Sequence, residues 1–275
     1  MSALDEVRHY FDSNTTSFLR TGQGGQAIRR AVWGPGVRTR EEAFAYVDVL
    51  LAQLLDNREA PRVLDLGCGV GASLLRLAHT SRLTGIGVTL SPVQAHFAQQ
   101  QFTAAGFAER LRAVEASFTE LPAELGFFDL AFSIEAFVLS PSPEAYFSEA
   151  VKHLKPGARL ALIDDFLTSK PETRQTRRWV REFKRGWLVR SLETPDTLST
   201  IAARFGLTLT RDDDLTPLLE LRRPRDLFLT AVMSVGRHLP IHSPLWRSWL
   251  GGNALQLALQ AGALAYRFLV FEKAP

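Results

Sequence analysis

The sequence predicts an α/β protein with a doubly wound, mostly parallel sheet of seven strands and a helical cap. Three observations predict this fold. Short apolar runs alternate with helix-length segments of about 8 to 14 residues across residues 62–164. A glycine-rich loop at residues 67–71 follows the first of these runs. A final apolar run at residues 266–272 comes after a long helical stretch, as expected for a strand that rejoins the sheet.

The first 60 residues are predicted to be helical. Residues 40–55 repeat apolar side chains at helical spacing, and a connection at residues 22–36, rich in glycine and broken by Pro35, precedes them. Strands and helices alternate from residue 62 onward. The predicted strands are 62–66, 83–90, 111–115, 128–134 and 159–164, and the predicted helices are 73–80, 92–105 and 144–154.

The pattern changes after residue 165. Helices are predicted at residues 171–189 and 196–205, a strand at 207–210, a helical stretch broken by prolines at 217–262, and a last strand at 266–272. We interpret the chain as one structural domain. Its parts are an N-terminal helical lid (1–60), the core (61–168), a helical cap with one core strand (169–265) and the final core strand (266–275).

Composition narrows the class of protein. The 275 residues are 46% apolar and 22% charged, which is typical of a globular chain. The net charge of +3 is weak evidence for an anionic partner. The single cysteine, Cys68, excludes an internal disulfide and indicates a reducing compartment. We expect a cytoplasmic protein, because the N-terminus does not resemble a signal peptide and residues 254–271 are too polar to span a membrane.

The glycine loop indicates a ligand site. Residues 63–73 read VLDLGCGVGAS, and glycines between a strand and a helix let a ligand approach the backbone closely. A turn without a ligand is one alternative, and a dinucleotide site is another, because Gly67, Gly69 and Ala72 also satisfy the dinucleotide pattern. Asp65 disfavours a dinucleotide, since its carboxylate would repel a pyrophosphate. Thr89 also stands where a ribose-binding carboxylate is expected.

The pattern D-x-G-x-G-x-G at residues 65–71 resembles motif I of class I methyltransferases, which have a Rossmann-like fold and use S-adenosylmethionine. Residues 85–94 (GIGVTLSPVQ) are similar to a segment of sterol C-methyltransferases, cyclopropane fatty-acid synthases and geranyl diphosphate methyltransferase. Ordinary capping by Ser91 and a solvated Gln94 would explain the same segment. The cofactor-binding residues that this resemblance implies are Asp65, Gly67, Gly69, Gly71, Thr89, Leu90, Gln94, Ser117, Phe118 and Ser133.

Two further segments extend the resemblance. Residues 132–168 are similar to the part of sterol methyltransferases in which a glutamate follows the fourth strand. Residues 10–18 (YFDSNTTSF) resemble a segment of those enzymes that folds over cofactor and substrate. Ser117 is a departure, because these enzymes usually carry aspartate near the adenine. The predicted substrate-binding residues are Tyr10, Phe11, Phe18, Phe137, Asp165, Arg178 and Arg181.

Glu135 is the predicted catalytic residue. It follows the fourth predicted strand, and residues 136–139 after it are apolar and contain no histidine. A carboxylate there could act as a base, stabilise a cation or hold the cofactor, or it could cap a loop. The apolar neighbours favour methylation of carbon over oxygen. We therefore expect methyl transfer to a small, largely apolar natural-product or isoprenoid-like acceptor. O-methylation, a Rossmann oxidoreductase and a non-catalytic binding protein are the alternatives.

The predicted helix around residues 174–190 carries seven cationic side chains and three large aromatic ones. It could hold an anionic head group of the acceptor, bind RNA through phosphates, or present a solvated face. We expect no nucleic-acid partner, because no RNA-binding module accompanies the helix. His238 and His242 are disfavoured as metal ligands, since Pro240 separates them and no acidic or sulfur ligand is nearby. The oligomeric state stays open, a homo-oligomer included.

Overall fold

The computed structural model describes residues 3–21, 29–55, 58–221, 223, 233 and 244–275. Eight helices are assigned within this part of the chain: α1 (Ala3–Thr21), α2 (Arg40–Ala52), α3 (Ala72–Thr80), α4 (Pro92–Ala104), α5 (Pro143–Ala150), α6 (Arg174–Gly186), α7 (Pro195–Ala203) and α8 (Pro244–Gln260). The strands are β1 (Arg62–Leu66), β2 (Thr84–Thr89), β3 (Leu111–Glu115), β4 (Phe128–Ile134), β5 (Leu154–Leu167), β6 (Leu207–Asp214) and β7 (Leu264–Lys273).

All seven strands lie in one sheet with the order β3-β2-β1-β4-β5-β7-β6. The pairs from β3 to β5 are parallel, and β7 runs antiparallel to both β5 and β6. The order reverses between β1 and β4, and in such folds ligands bind in the crevice beyond the carboxyl ends of the strands at this point. The predicted mostly parallel seven-stranded sheet is therefore confirmed.

Local sequence explains the helices around the crevice. Thr39 caps α2 in a capping box with Glu42. Ser91 caps α4 ahead of Pro92, and Ser142 caps α5 ahead of Pro143. The central strands β1, β4 and β5 are buried almost throughout, because helices cover both faces of the parallel part of the sheet.

Several predicted boundaries are wrong. The helix predicted at 144–154 ends at Ala150, and β5 begins at Leu154 instead of residue 159. Leu154 pairs with Phe128, and the register then shifts, so the Lys-Pro-Gly segment lies inside an irregular strand. The cap strand predicted at 207–210 continues to Asp214, because its pairing with β7 extends that far. Among the described residues, no helix is long and apolar enough to cross a membrane.

Candidate active site

The glycine loop after β1 adopts backbone φ angles that favour glycine. Gly67, Gly69 and Gly71 have φ angles of +96°, +53° and +82°, in a region that L side chains rarely adopt. A Cβ at Gly67 would lie 2.4 Å from the Cβ of Ala136, and one at Gly71 would lie 2.6 Å from the ring of Phe102. A Cβ at Gly69 would meet nothing within 4 Å. Gly69 therefore faces open space that a ligand can enter.

Asp65 lies near the end of β1, beneath this loop, and is 3% exposed. Burial raises the pKa of its carboxyl well above the ordinary value, and the neighbouring Asp48 raises it further, while the positive charge of Arg29 opposes the shift. A cationic group of a ligand placed beside Asp65 would stabilise the carboxylate. This position suits the ammonium group of an amino-acid moiety better than a phosphate.

The segment after β2 is held by hydrogen bonds between its own residues and by hydrogen bonds with α1. Ser91 accepts a hydrogen bond from the backbone N–H of Gln94 and caps α4. The Thr89 hydroxyl lies 2.8 Å from the Gln94 side-chain oxygen, and the amide of Gln94 donates to Thr15 of α1 at 3.2 Å. The predicted alternative of a solvated Gln94 is wrong, because this side chain is 4% exposed.

The N-terminal helix α1 lies over the carboxyl ends of β2 and β3. Arg8 donates to the carbonyl of Leu90 at 3.0 Å and forms an ion pair with Glu115. Asp12 is hydrogen-bonded to Ser91. The hydroxyls of Tyr10 and Ser248 are 2.8 Å apart, which joins α1 to α8. These contacts hold α1 against the ends of β2 and β3 and against α8, and the predicted role of α1 as a lid stays a prediction. The side chain of Phe18 lies outside the described residues.

The remaining predicted cofactor residues surround the same crevice. Phe118 follows β3, is 8% exposed and packs edge-on against Tyr146 at a centroid distance of 5.5 Å. Its ring lies 3.9 Å from the position of a Cβ on Gly67. The hydroxyl of Ser117 lies 2.8 Å from that of Thr119. The buried Ser133 donates to the carbonyl of Leu66 at 2.7 Å, so it joins β4 to the end of β1.

Glu135 directly follows β4 in a conformation unusual for its type, with a φ angle of +51°. Its Oε1 atom accepts from the backbone N–H of Arg30 at 3.0 Å, from the Arg30 side chain at 3.3 Å and from the hydroxyl of Tyr266 at 3.0 Å. All three of these bonds end on one oxygen. Such a backbone persists where its surroundings impose it, which is typical of functional sites.

Asp164 and Asp165, near the end of β5, complete a group of carboxylates with Glu135. Arg30 donates two hydrogen bonds of 2.8 Å to the two oxygens of Asp165 and lies 4.0 Å above the ring of Tyr266. Burial raises the pKa of Asp165, an effect that Arg30 opposes. Burial and the neighbouring Asp165 raise the pKa of Asp164 well above its usual range. We call Glu135, Asp164, Asp165 and Arg30 the carboxylate cluster.

Sequence reasoning missed Arg30 and Tyr266. Arg30 lies within the predicted glycine-rich connection at residues 22–36 and belongs to no motif. Tyr266 belongs to the last strand and reaches the site because β7 pairs with β5 in the register that sets Tyr266 opposite Asp165. A pairing between residues about a hundred positions apart leaves no mark in local sequence.

A cavity of about 420 Å³ opens above the carboxylate cluster. Its walls come from α1, the segment after β4, α6 and α8, and its apolar lining includes Phe11, Val138, Leu139, Phe183, Trp187, Leu255 and Leu259. Polar groups concentrate at the floor, which the carboxylate cluster forms, and around Arg40, Glu220 and Arg223. The predicted substrate-binding residues Tyr10, Phe11 and Asp165 line this cavity. The cavity accommodates a small molecule with an extensive apolar part.

Three predicted substrate-binding residues need correction. Phe137 does not line the cavity: it is completely buried and packs on Tyr146, because the short helical turn after Glu135 directs its ring into the core. Arg178 and Arg181 are exposed on α6, and Arg178 pairs with Glu182 at 2.9 Å. The opposite face of α6, with Phe183, points to the cavity, so the basic face is directed to solvent.

No group of three or more histidine, cysteine, aspartate or glutamate side chains in the described ranges could hold a metal. His238 and His242 lie outside those ranges. Cys68, the free cysteine of the glycine loop, is buried, and burial raises the pKa of its thiol well above the usual value. A thiol in this state is a poor nucleophile, in agreement with a structural role.

Comparison with known proteins agrees with this geometry. Residues 63–157 match the family model described as a methyltransferase domain. A 24-methylenesterol C-methyltransferase 2 of Oryza sativa subsp. japonica is 28% identical over 193 residues, which are 70% of this chain and 53% of that protein. The 27-O-demethylrifamycin SV methyltransferase of Amycolatopsis mediterranei is 30% identical over 147 residues, 54% of each chain. The chain thus spans about half the length of these relatives.

Solved structures share the whole fold at low identity. A cyclopropane synthase of Mycobacterium tuberculosis superposes with a TM-score of 0.77 at 20% identity, over 98% of both chains. The geranyl diphosphate C-methyltransferase of Streptomyces coelicolor, solved with S-adenosylhomocysteine, superposes with a TM-score of 0.71 at 14% identity, over 100% of this chain and 99% of that chain. The chain shares its fold with these proteins, and residues 63–157 match the methyltransferase-domain family.

Proposed function

We propose that this protein transfers a methyl group from S-adenosylmethionine to a carbon atom of a small, largely apolar acceptor such as an isoprenoid. The observation that carries the proposal is the cavity with apolar walls above the carboxylate cluster. The relatives named as sterol C-methyltransferases support the same class of acceptor.

The residues around the glycine loop fit the cofactor. Gly69 has open space where a Cβ would stand, which leaves the backbone accessible. Asp65 supplies a buried carboxylate for the ammonium group, and Phe118 supplies an apolar surface beside the loop. Arg29, which lines the neighbouring cavity, has a buried Nε with no hydrogen-bond partner among the described residues. When bound, S-adenosylmethionine supplies an activated methyl group on a sulfonium centre.

The chain's contribution to such a reaction is to align the acceptor and exclude water. In-line transfer requires the acceptor atom at about 3–3.5 Å from the methyl carbon. Phe183 and Trp187 of the α6 region and Leu255 of α8 form an apolar wall against which the acceptor can be fixed. Tyr10 of α1 contacts α8 across this space, so the lid helix helps to enclose the acceptor.

The charge of the cluster favours carbon as the methylated atom. Methylation of an alkene carbon creates a positive charge on the acceptor, and a proton must leave afterwards. Three carboxyl groups lie at the cavity floor with Arg30, while Arg29, which also lines the cavity, is paired with Asp48. The floor therefore favours positive charge when more than one of the three carboxyls is ionised. Because the three described hydrogen bonds of Glu135 end on Oε1, we assign acceptance of the proton to Oε2.

O-methylation is the second candidate. It is favoured by the tocopherol O-methyltransferase of Arabidopsis thaliana, which is 32% identical over 159 residues, 58% of this chain and 43% of that protein. Glu135 would then remove the proton of a hydroxyl group. The apolar walls of the cavity suit an apolar phenol as well as an isoprenoid. The position of the methyl group in the product therefore distinguishes O-methylation from C-methylation.

The test combines binding with product analysis. Calorimetry should show that the purified protein binds S-adenosylhomocysteine and not NAD. Mass spectrometry of small molecules retained by the protein should then guide a panel that begins with geranyl diphosphate, a 24-methylenesterol and a tocopherol. A transferred labelled methyl group should appear on carbon in the nuclear magnetic resonance spectrum. A methyl group on oxygen would support the second candidate, and NAD binding in place of S-adenosylhomocysteine would contradict both.

A further inference from the structure

The outer face of α6 carries a dense row of positive charge. The helix has 13 residues, and six of them are cationic: Arg174, Arg177, Arg178, Arg181, Lys184 and Arg185. With 3.6 residues per turn, these six lie within an arc of roughly 120° around the helix axis. The five arginines are exposed, and Lys184 is half-buried. We call this face of α6 the basic stripe.

Acidic side chains neutralise only part of the basic stripe. Arg177 lies 3.7 Å from Glu172, and Arg178 pairs with Glu182 at 2.9 Å. Within the part of the chain that the structure describes, the other four cations form no ion pair: Arg174, Arg181, Lys184 and Arg185. The basic stripe therefore keeps a net positive charge that an anionic partner would neutralise.

An open groove lies along the basic stripe. Four of its cations line this groove together with Glu172, Val180 and Val189. The groove thus offers several positive charges to one anionic group, with apolar side chains beside them. Clusters of about four to eight lysines and arginines on an amphipathic helix are typical of surfaces that bind anionic lipid head groups.

The position of α6 favours a membrane over a nucleic acid. Its aromatic residues Trp179 and Phe183, and Trp187 after it, pack against the core, so the basic stripe presents no ring on which a base could stack. Phe183 and Trp187 also line the cavity. An apolar acceptor concentrates in bilayers, because its surface is unfavourable in water. A bilayer against the basic stripe would lie about one helix diameter, roughly 10 Å, from the cavity wall.

We propose that the basic stripe docks this protein on the surface of a membrane that contains anionic phospholipids. The attraction is electrostatic, since the inner face of α6 packs against α8, where a Cβ at Gly186 would lie 2.6 Å from the backbone of Gly251. The choice of a membrane rests on the apolar acceptor of the proposed function. Docking itself requires no methyl transfer, so the two proposals can fail separately.

The experiment measures sedimentation of the full chain with lipid vesicles. One set contains phosphatidylcholine alone, and the other contains equal amounts of phosphatidylcholine and phosphatidylglycerol. The test variant is Arg181→Gln/Arg185→Gln. The matched control, Arg82→Gln/Arg112→Gln, removes two exposed arginines from other surfaces and gives the same net charge. Thermal unfolding verifies the fold of both variants, and a gel-shift assay with duplex RNA tests the other anionic partner.

The wild type should bind the anionic vesicles, bind them less at high salt and not bind phosphatidylcholine alone. The test variant should bind the anionic vesicles roughly 25-fold more weakly, since each basic residue near the surface contributes about fivefold. The control should bind them like the wild type. Equal losses in the two variants, or no loss in either, would overturn the proposal. Binding of duplex RNA without binding of vesicles would also overturn it. Methyl transfer to an acceptor supplied in solution should be unchanged, because the basic stripe does not line the cavity.

Discussion

Arg30 and Asp165 form a paired interaction in which two nitrogens of the guanidinium donate to the two carboxylate oxygens, each at 2.8 Å. The same guanidinium also contacts Glu135 at 3.3 Å. Arg30 lies two residues before Val32, which forms an isolated β-bridge with Leu219. Arg30 thus connects the ends of β4 and β5. This connection organises the floor of the proposed acceptor cavity.

Removing Arg30 should destabilise the fold. Arg30→Met leaves Asp165, with a side chain 2% exposed, as a buried carboxylate without its cation. Breaking such a pair typically costs about 3–5 kcal/mol, which urea unfolding measures. The control Arg30→Met/Asp165→Asn should recover much of the loss, since no buried charge is then unpaired. Equal stability of the single variant and the wild type would show that the pair is energetically unimportant.

Replacing Glu135 by glutamine separates chemistry from cofactor binding. Glutamine keeps the shape and an oxygen that can still accept from Arg30 and Tyr266. If Glu135 stabilises a cation or accepts a proton, kcat should fall roughly 10²- to 10⁴-fold while the dissociation constant of S-adenosylhomocysteine is unchanged. Tyr266→Phe is the control for the hydrogen bond alone and should have a smaller effect. A Glu135 variant with normal kcat and normal affinity would remove this residue from the site.

Gly69→Val should abolish binding of S-adenosylhomocysteine, because the side chain would fill the open space beside the loop. Strain at a positive φ angle is a separate effect, and Gly106→Val controls for it. Gly106 has a φ angle of +78°, and a Cβ added there would also meet nothing within 4 Å, but it lies between α4 and β3, away from the loop. Calorimetry should show loss of binding in the first variant and normal binding in the second. Equal effects would mean that strain explains both.

The affinity for S-adenosylhomocysteine should depend on pH through Asp65. Burial raises the pKa of this carboxyl, and the ligand's ammonium group needs the ionised form. The affinity should therefore fall as the pH decreases through the raised pKa of Asp65. It should also fall at alkaline pH, where the ligand's α-amino group loses its proton. Asp65→Asn should bind more weakly and lack the acidic limb, and an unchanged profile in that variant would exclude Asp65.

Charge reversal on the outer face of α6 should leave the acceptor's KM unchanged. Arg178 and Arg181 are exposed and point away from the cavity, contrary to the sequence-based expectation that they hold an anionic head group. Trp187→Ala, on the cavity side at the end of the same helix, should raise KM, because it removes part of the apolar wall. Steady-state kinetics with the acceptor identified by the substrate panel makes this comparison. A large rise in KM for Arg178→Glu/Arg181→Glu would restore the anion-binding interpretation.

The sequence by itself determined the order of strands and helices, the glycine loop and the place of Glu135. These features are local, because the spacing of apolar residues marks each strand and helix, and the loop after β1 has glycine at its three positive φ angles. The same local motif predicted the class of protein and its cofactor, and the match of residues 63–157 to a methyltransferase domain agrees with the predicted class.

Only the tertiary structure decided which distant groups meet. The pairing of β7 with β5 sets Tyr266 opposite Asp165. The N-terminal segment brings Arg29 to the first turn of α3 and Arg30 to the ends of β4 and β5. The sequence also left open which face of α6 is buried, because aromatic and basic residues alternate along this helix. The packing of α6 against α8 selects the buried face. Such contacts arise from register and packing between segments far apart in the chain, and no local pattern encodes them.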